Sequence, residues 1–154
     1  MLLEVLIISA MPISEIRGAI PLALYHGLSP LTAYITALIG NIIPVPILLI
    51  SLNKILRIIN KNERLNSVYK KFHERIEKRR YLIERYGYLG LTIFVAIPLP
   101  ITGAWTASVI ATILNLKKIK SFIFITIGIC IAGFLVLITS LGVLNLLKLL
   151  QLPL

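Results

Sequence analysis

Charged residues are distributed very unevenly along this chain, and their distribution constrains the fold more than any other feature. Segment 54–85 holds eleven of the sixteen basic residues and four of the six acidic ones. The stretches before and after it are apolar, and 58% of all residues are hydrophobic, against about 45–50% in soluble domains. One small core could not hide that much apolar surface from water. The sequence therefore predicts a single integral membrane domain over residues 1–154.

Two stretches are long and apolar enough to cross a bilayer. Residues 31–53 carry no charge, and residues 119–147 carry none between Lys120 and the end of the stretch. Because roughly 20 apolar residues cross the hydrocarbon core, each stretch is predicted to form a full transmembrane helix. Pro44 and Pro46 should kink the first helix. Three glycines of the second should allow close helix approach: Gly128, Gly133 and Gly142.

A broken apolar stretch precedes each span. Residues 2–28 are interrupted by prolines, a glycine and two charges, namely Pro12, Glu15, Arg17, Gly18 and Pro21. Residues 87–116 are interrupted by Pro98, Pro100 and Gly103. Each stretch reads as two helical arms of about ten to twelve residues, which are too short to span. Both are predicted to be re-entrant hairpins whose breaks face the protein interior, since lipid cannot satisfy a broken backbone.

Basic residues set the expected topology. If residues 87–116 dip into the membrane and return, the lysines of segment 117–120 lie on the same side as the basic segment, as the positive-inside rule requires. Residues 54–86 and 117–120 are then cytoplasmic, and Ser29 lies outside. The predicted chain is a multi-pass cell-membrane protein in which a hairpin and a span enter from each side. This arrangement is an inverted repeat.

Short sequence patterns recur between the two halves. Ala10-Met-Pro12 followed by Gly18-Ala19 resembles Ala96-Ile-Pro98 followed by Gly103-Ala104, and an Ile-Gly pair recurs at Gly40 and Gly128. Inverted repeats of broken helices are typical of secondary transporters, whose substrate site lies near the membrane midplane between the repeats. The predicted architecture therefore favours transport.

The basic segment, residues 54–86, is predicted to be a cytoplasmic amphipathic helix. Its apolar residues recur at helical intervals: Leu65, Val68, Phe72, Ile76 and Ile83. This helix either connects the membrane halves in solvent or lies on anionic headgroups. The net charge of +10 does not indicate nucleic-acid binding, because basic cytoplasmic loops are general among membrane proteins.

Two segments resemble the signature segments of a known family. Segment 12–23 (PISEIRGAIPLA) and segment 98–106 (PLPITGAWT) are similar to those of the putative small multidrug export proteins, distant relatives of the DedA-like (VTT domain) membrane proteins. The resemblance covers nearly the whole chain and implies two opposed re-entrant hairpins. In DedA-like proteins, an acidic residue and arginines in the hairpins are held to serve proton-coupled transport of lipid-linked phosphates. The second hairpin here has no acidic residue and no arginine, which puts a mechanism with charges on both hairpins in doubt.

Glu15 and Arg17 form the centre of the candidate site, because ionisable side chains are expensive in lipid and usually mark a function. In one hypothesis Arg17 leaves Glu15 to bind a phosphate-bearing substrate while Glu15 takes up a proton, which couples the two events. The alternative is a structural ion pair, in which Glu15 and Arg17 simply satisfy broken backbone at the hairpin tip. Residues two positions apart do not face each other on a regular helix, so either the segment is unwound there or each residue has a different partner. Substrate or proton binding is assigned to ten residues: Ser14, Glu15, Arg17, Gly18, Pro98, Pro100, Thr102, Gly103, Trp105 and Thr106.

The sequence favours a transporter over an enzyme. It contains no Ser/His/Asp constellation, Gly-rich phosphate loop or metal-ligand spacing, and no cofactor is expected. The predicted function is ion- or proton-coupled transport of a lipid-linked phosphate or another small amphipathic molecule. The alternatives are export of cationic compounds and a non-transporting scaffold that acts through the basic segment. Expected partners are membrane lipids, including anionic ones, and a second copy of the chain, because two spans alone seal a site poorly.

Overall fold

The chain folds into helices of very different lengths, and no strand occurs in the part that the structure describes. The structure is a computed structural model that describes residues 1–59, 85–97 and 103–150. Seven helices are bounded within these ranges: α1 (Leu2–Ala10), α2 (Glu15–Tyr25), α3 (Pro30–Ile42), α4 (Pro44–Ile59), α5 (Tyr88–Ala96), α6 (Ala104–Ile113) and α7 (Lys118–Leu149). The predicted all-helical class is confirmed.

Two helical stretches are long and apolar enough to cross a membrane, Pro30–Leu52 and Lys118–Leu146, in agreement with the predicted spans. Only 39% and 33% of their most apolar windows are buried. A protein in water could not leave so large an aliphatic surface exposed, whereas hydrocarbon accommodates it. The first stretch is interrupted at Ile43, directly before Pro44, as the proline pattern predicts.

The basic segment begins as a continuation of the first span, because α4 runs on to Ile59 without interruption. Residues 60–84, which hold the rest of the predicted cytoplasmic helix and its whole apolar stripe, lie outside the described residues.

Each stretch predicted to be a hairpin contains two short helices that pack against each other, α1 with α2 and α5 with α6. The four helices have 9, 11, 9 and 10 residues, so none can span a bilayer alone. The first break covers only residues 11–14. Pro21, expected to interrupt this hairpin, instead lies inside α2. The second break includes residues 98–102, which lie outside the described residues.

The first helix of each pair packs onto a glycine of the following span. A Cβ atom on Gly40 would lie 2.4 Å from the carbonyl oxygen of Leu6 in α1. A Cβ atom on Gly128 would lie 2.9 Å from the carbonyl oxygen of Thr92 and 2.7 Å from Val95 Cβ in α5. Both glycines therefore allow a helix backbone to approach more closely than any side chain permits.

A hydroxyl group crosses each of these contacts as well. Ser9 Oγ donates to the carbonyl oxygen of Ala37, and Thr92 Oγ1 donates to that of Phe124 at 2.8 Å. In an apolar medium such bonds satisfy polar groups that lipid would leave unpaired.

The other two glycines of α7, Gly133 and Gly142, differ in how closely other helices approach them. A Cβ atom on Gly133 would lie 2.6 Å from Ile16 Cδ1 and 2.9 Å from Tyr34 Cε2, and the Tyr34 hydroxyl donates to the Cys130 carbonyl oxygen at 3.0 Å. The expectation for Gly142 is wrong, since no heavy atom of the described chain lies within 4 Å of its Cβ position.

Exposed aliphatic residues of the two spans recur at the spacing of 88 residues that separates Gly40 from Gly128. Six such residues of the first span have exposed aliphatic counterparts on α7. They are Leu31, Ile35, Ile39, Ile43, Ile47 and Ile50, paired in order with Ile119, Ile123, Ile127, Ile131, Leu135 and Ile138. The same spacing pairs Glu15 with Gly103 and Arg17 with Trp105, whereas the sequence pattern pairs Gly18 with Gly103.

Candidate functional site

The first helix break meets the start of α6 at Trp105, the second residue of that helix. Its backbone N–H donates to Glu15 Oε1 at 3.3 Å. Its indole Nε1–H donates to the carbonyl oxygen of Ala10, the last residue of α1, at 3.1 Å. One tryptophan therefore joins α6 to both sides of the first break.

Gly103 makes room for the Glu15 carboxylate. A Cβ atom at this position would lie 1.9 Å from Glu15 Oε2 and 2.3 Å from Oε1. The carboxylate thus occupies the volume that any other side chain would need, directly before the first turn of α6. There the backbone N–H groups of Ala104 and Trp105 both stabilise it, as does the positive end of the helix dipole. Glu15 is only 7% exposed.

Glu15 has a left-handed backbone conformation, with φ at 45°. L-residues rarely adopt this conformation, and it costs on the order of 1–3 kcal/mol. The conformation lets α2 start immediately after the break while the carboxylate is directed at α6 rather than along its own helix. The contacts with α6 hold this strained geometry in place.

Arg17 lies half-buried in the first turn of α2, and its positive charge acts on the Glu15 carboxylate. Glu15 is therefore stabilised from two directions, by the amides of α6 and by the guanidinium of its own helix. The Glu15 carboxylate therefore accepts from backbone N–H groups of the second helix pair and also interacts with the charge of Arg17.

The remaining predicted site residues lie in the first break, in α2 or α6, or outside the described residues. Ser14 lies in the first break, and its Cβ is 3.1 Å from where a Cβ of Gly18 would be, so Gly18 gives room to Ser14. Thr106 is half-buried in the first turn of α6. Three predicted site residues, Pro98, Pro100 and Thr102, lie outside the described residues.

Sequence reasoning missed two hydroxyl groups on α6. Ser108 and Thr112 are both buried. Ser108 Oγ donates to the Ala104 carbonyl oxygen at 2.7 Å, and Thr112 Oγ1 donates to the Ser108 carbonyl oxygen at 2.8 Å. They form a line of polar atoms that starts beside Glu15 and runs along α6. Their spacing of four residues, which places both on one face of α6, is the signal that could have revealed them.

Asn41, also absent from the predicted site, is 1% exposed, and its Oδ1 has no hydrogen-bond partner among the described residues. The described residues contain no group of three His, Cys, Asp or Glu side chains that could hold a metal ion.

These features define a helical membrane protein with two bilayer-length helices and a buried carboxylate between two pairs of short helices. A family model described as "Putative small multi-drug export protein" matches residues 15–135, and the chain belongs to this family. Membership is consistent with a membrane transporter. No curated protein and no solved structure matches the chain. The relationship to DedA-like proteins stays a prediction.

Proposed function

We propose that this protein is a membrane transporter whose substrate site lies between the two helix pairs, acting as opposed re-entrant hairpins. The contact between the Glu15 carboxylate and the start of α6 carries the proposal. Ten helical residues rise about 15 Å, which is half the thickness of the roughly 30 Å hydrocarbon core. Glu15 at one end of α6 is then near the membrane midplane if the other end is at its surface. Secondary transporters bind their substrates at this depth.

The recurrence of packing features between the halves supports an inverted repeat. In each half, the first short helix packs on a span glycine and the second ends in a turn with a left-handed residue, Gly27 or Asn115. The second short helix of each half packs against a span of the other half, α2 against α7 and α6 against α4. Two halves that interlock in this way can rock against each other, which is how alternating access works in such folds.

The buried position of Glu15 supports a proton-coupled mechanism. A proton on this carboxyl group removes its charge and weakens its hold on the α6 amides, so the two helix pairs can separate. Arg17 then has less negative charge beside it, and its guanidinium can bind a phosphate-bearing substrate bidentately. Proton uptake and substrate binding thereby become linked. A lipid-linked phosphate or a similar small amphipathic molecule suits a site that contains both an arginine and apolar walls.

Export of cationic compounds is the second candidate function. It is favoured by the buried carboxylate of Glu15 and by the description of the family. In that case the cation would compete with the α6 amides for Glu15, and Arg17 would be dispensable for transport.

Transport assays in liposomes test the proposal directly. Glu15→Gln and Arg17→Ala should each lower proton-driven translocation of a fluorescent lipid phosphate by about tenfold or more, because each removes one charge of the coupled pair. Glu4→Gln is the matched control, since Glu4 is exposed and paired with the chain terminus. Normal transport by both site variants would contradict the mechanism. Efflux of a cationic dye that needs Glu15 but not Arg17 would favour the second function.

Cysteine accessibility tests the topology. In a Cys130→Ser background, Ser29→Cys and Lys118→Cys should react with a membrane-impermeant maleimide from opposite sides, because one full span and one returning hairpin separate them. Both positions are exposed. Labelling of both from the same side would rule out the inverted repeat.

A further inference from the structure

A pocket of about 200 Å³ lies at the opposite end of α6 from Glu15. It is lined by α4, the end of α6, the following turn and the start of α7, through Leu49, Ala111, Thr112, Asn115, Leu116 and Lys118. Leu49 lies one turn before the first span ends at Leu52, and Lys118 begins the second span. The pocket is therefore at the level where the apolar spans meet the lipid headgroups.

The lining of the pocket is amphipathic. Leu49 and Ala111 are buried apolar walls, while the side chains of Asn115 and Lys118 are exposed. An ammonium group and a side-chain amide both donate hydrogen bonds, and they suit an anionic oxygen. The hydroxyl line of Thr112 and Ser108 leads from this pocket towards Glu15.

Positive charge accumulates beside the pocket. Lys117 directly precedes α7, and Lys118 and Lys120 lie in its first turn. The dipole of this 32-residue helix is also positive at this end. The acidic residues in the described part of the chain are Glu4 and Glu15, which lie in α1 and at the start of α2. A bound anion would offset both the lysine charge and the helix dipole.

Tyr88 contacts the backbone of Lys117 and the ammonium group of Lys120. The backbone N–H of Lys117 donates to the Tyr88 hydroxyl at 3.1 Å, and Lys120 Nζ lies 5.7 Å from the centre of the Tyr88 ring. Lys118 is the lysine that lines the pocket.

We propose that this pocket binds the phosphate group of an anionic lipid, with Lys118 and Asn115 on the phosphate and Leu49 beside the start of an acyl chain. This site is separate from Glu15 and does not depend on the transport proposal. Lipid phosphate and free inorganic phosphate share the chemistry that the pocket recognises, and the test separates them.

The test is titration of the purified full-length protein in detergent with short-chain phosphatidic acid, followed by native mass spectrometry. Lys118→Ala should weaken binding about tenfold, because a charge-assisted hydrogen bond is lost. Asn115→Gly should weaken it about threefold, since glycine keeps the left-handed backbone at this position but removes the amide. Lys120→Ala is the matched control. It removes the same charge from the same helix end and should change binding by less than about twofold.

Equal losses in Lys118→Ala and Lys120→Ala would overturn the proposal, because they would indicate general charge attraction. Equal affinity for a phosphatidylcholine of the same chain length would overturn it as well. Binding of inorganic phosphate as tight as that of the lipid would overturn the lipid assignment. Glu15→Gln should bind phosphatidic acid normally, so loss of transport in that variant leaves this site intact.

Discussion

Gly103→Ala is expected to lower the thermal unfolding midpoint by roughly 5–10 °C and to abolish transport. The new Cβ atom would lie 1.9 Å from Glu15 Oε2, so the carboxylate must leave the amides of α6. Removing a buried charge from its hydrogen-bond donors costs on the order of 2–4 kcal/mol, and each kcal/mol shifts the midpoint by about 2–4 °C in a chain of this size. The extended backbone of Gly103, with φ at −168°, suits alanine, so the loss is attributed to the collision with Glu15 and not to backbone strain. Thermal unfolding in detergent measures the effect.

Gly142→Ala is the matched control for this experiment. Gly142 lies on the exposed surface of α7, with open space around its Cβ position in the described structure. Alanine there should stabilise the protein slightly, by about 0.5–1 kcal/mol. A second control keeps the Gly103→Ala change and removes the Glu15 carboxylate with which the new Cβ atom collides. The double variant Glu15→Ala/Gly103→Ala should be as stable as Glu15→Ala alone. Additive losses in the double variant would show that Gly103 does not act through Glu15.

The sequence predicts the helices well because their causes are local. Proline at 12 ends the first short helix, charge-free length defines the two spans, and Pro44 breaks the first of them. Segment 12–23 was also enough to locate the carboxylate of the site. These features depend on residues close to one another in the chain, so they can be read without tertiary structure.

The partner of Glu15 could not be predicted, because it comes from the other half of the chain. Arg17, two positions away, does not face Glu15 on a regular helix, so the sequence leaves open whether the two side chains pair. One donor to Glu15 is the amide of Trp105, and a backbone amide leaves no trace in a sequence. Gly103 is predicted both as a break residue and as a site residue, and the structure shows that it leaves space for the Glu15 carboxylate. The left-handed backbone of Glu15 is likewise a tertiary effect, since no local pattern favours it.

Gly40→Ala is expected to cost about 3 kcal/mol, a loss comparable to that of overpacking a core. The new Cβ atom would lie 2.4 Å from the Leu6 carbonyl oxygen, and a helix backbone cannot rotate out of the way as a side chain can. α1 would have to move away from α3, which would also break the hydrogen bond from Ser9 to Ala37. Thermal unfolding and the yield of monodisperse protein measure the loss.

Gly128→Ala extends this prediction to the second half of the chain. Its Cβ atom would meet Thr92 and Val95 of α5 at 2.9 Å and 2.7 Å, so its loss of stability should be similar to that of Gly40→Ala. Gly142→Ala again serves as the control, because it makes the same chemical change on the same helix without a contact. If Gly40→Ala and Gly128→Ala were as stable as Gly142→Ala, the close packing of the short helices on the spans would be refuted. Matching losses at Gly40 and Gly128 would show that both halves depend on the same kind of contact between a short helix and a span glycine.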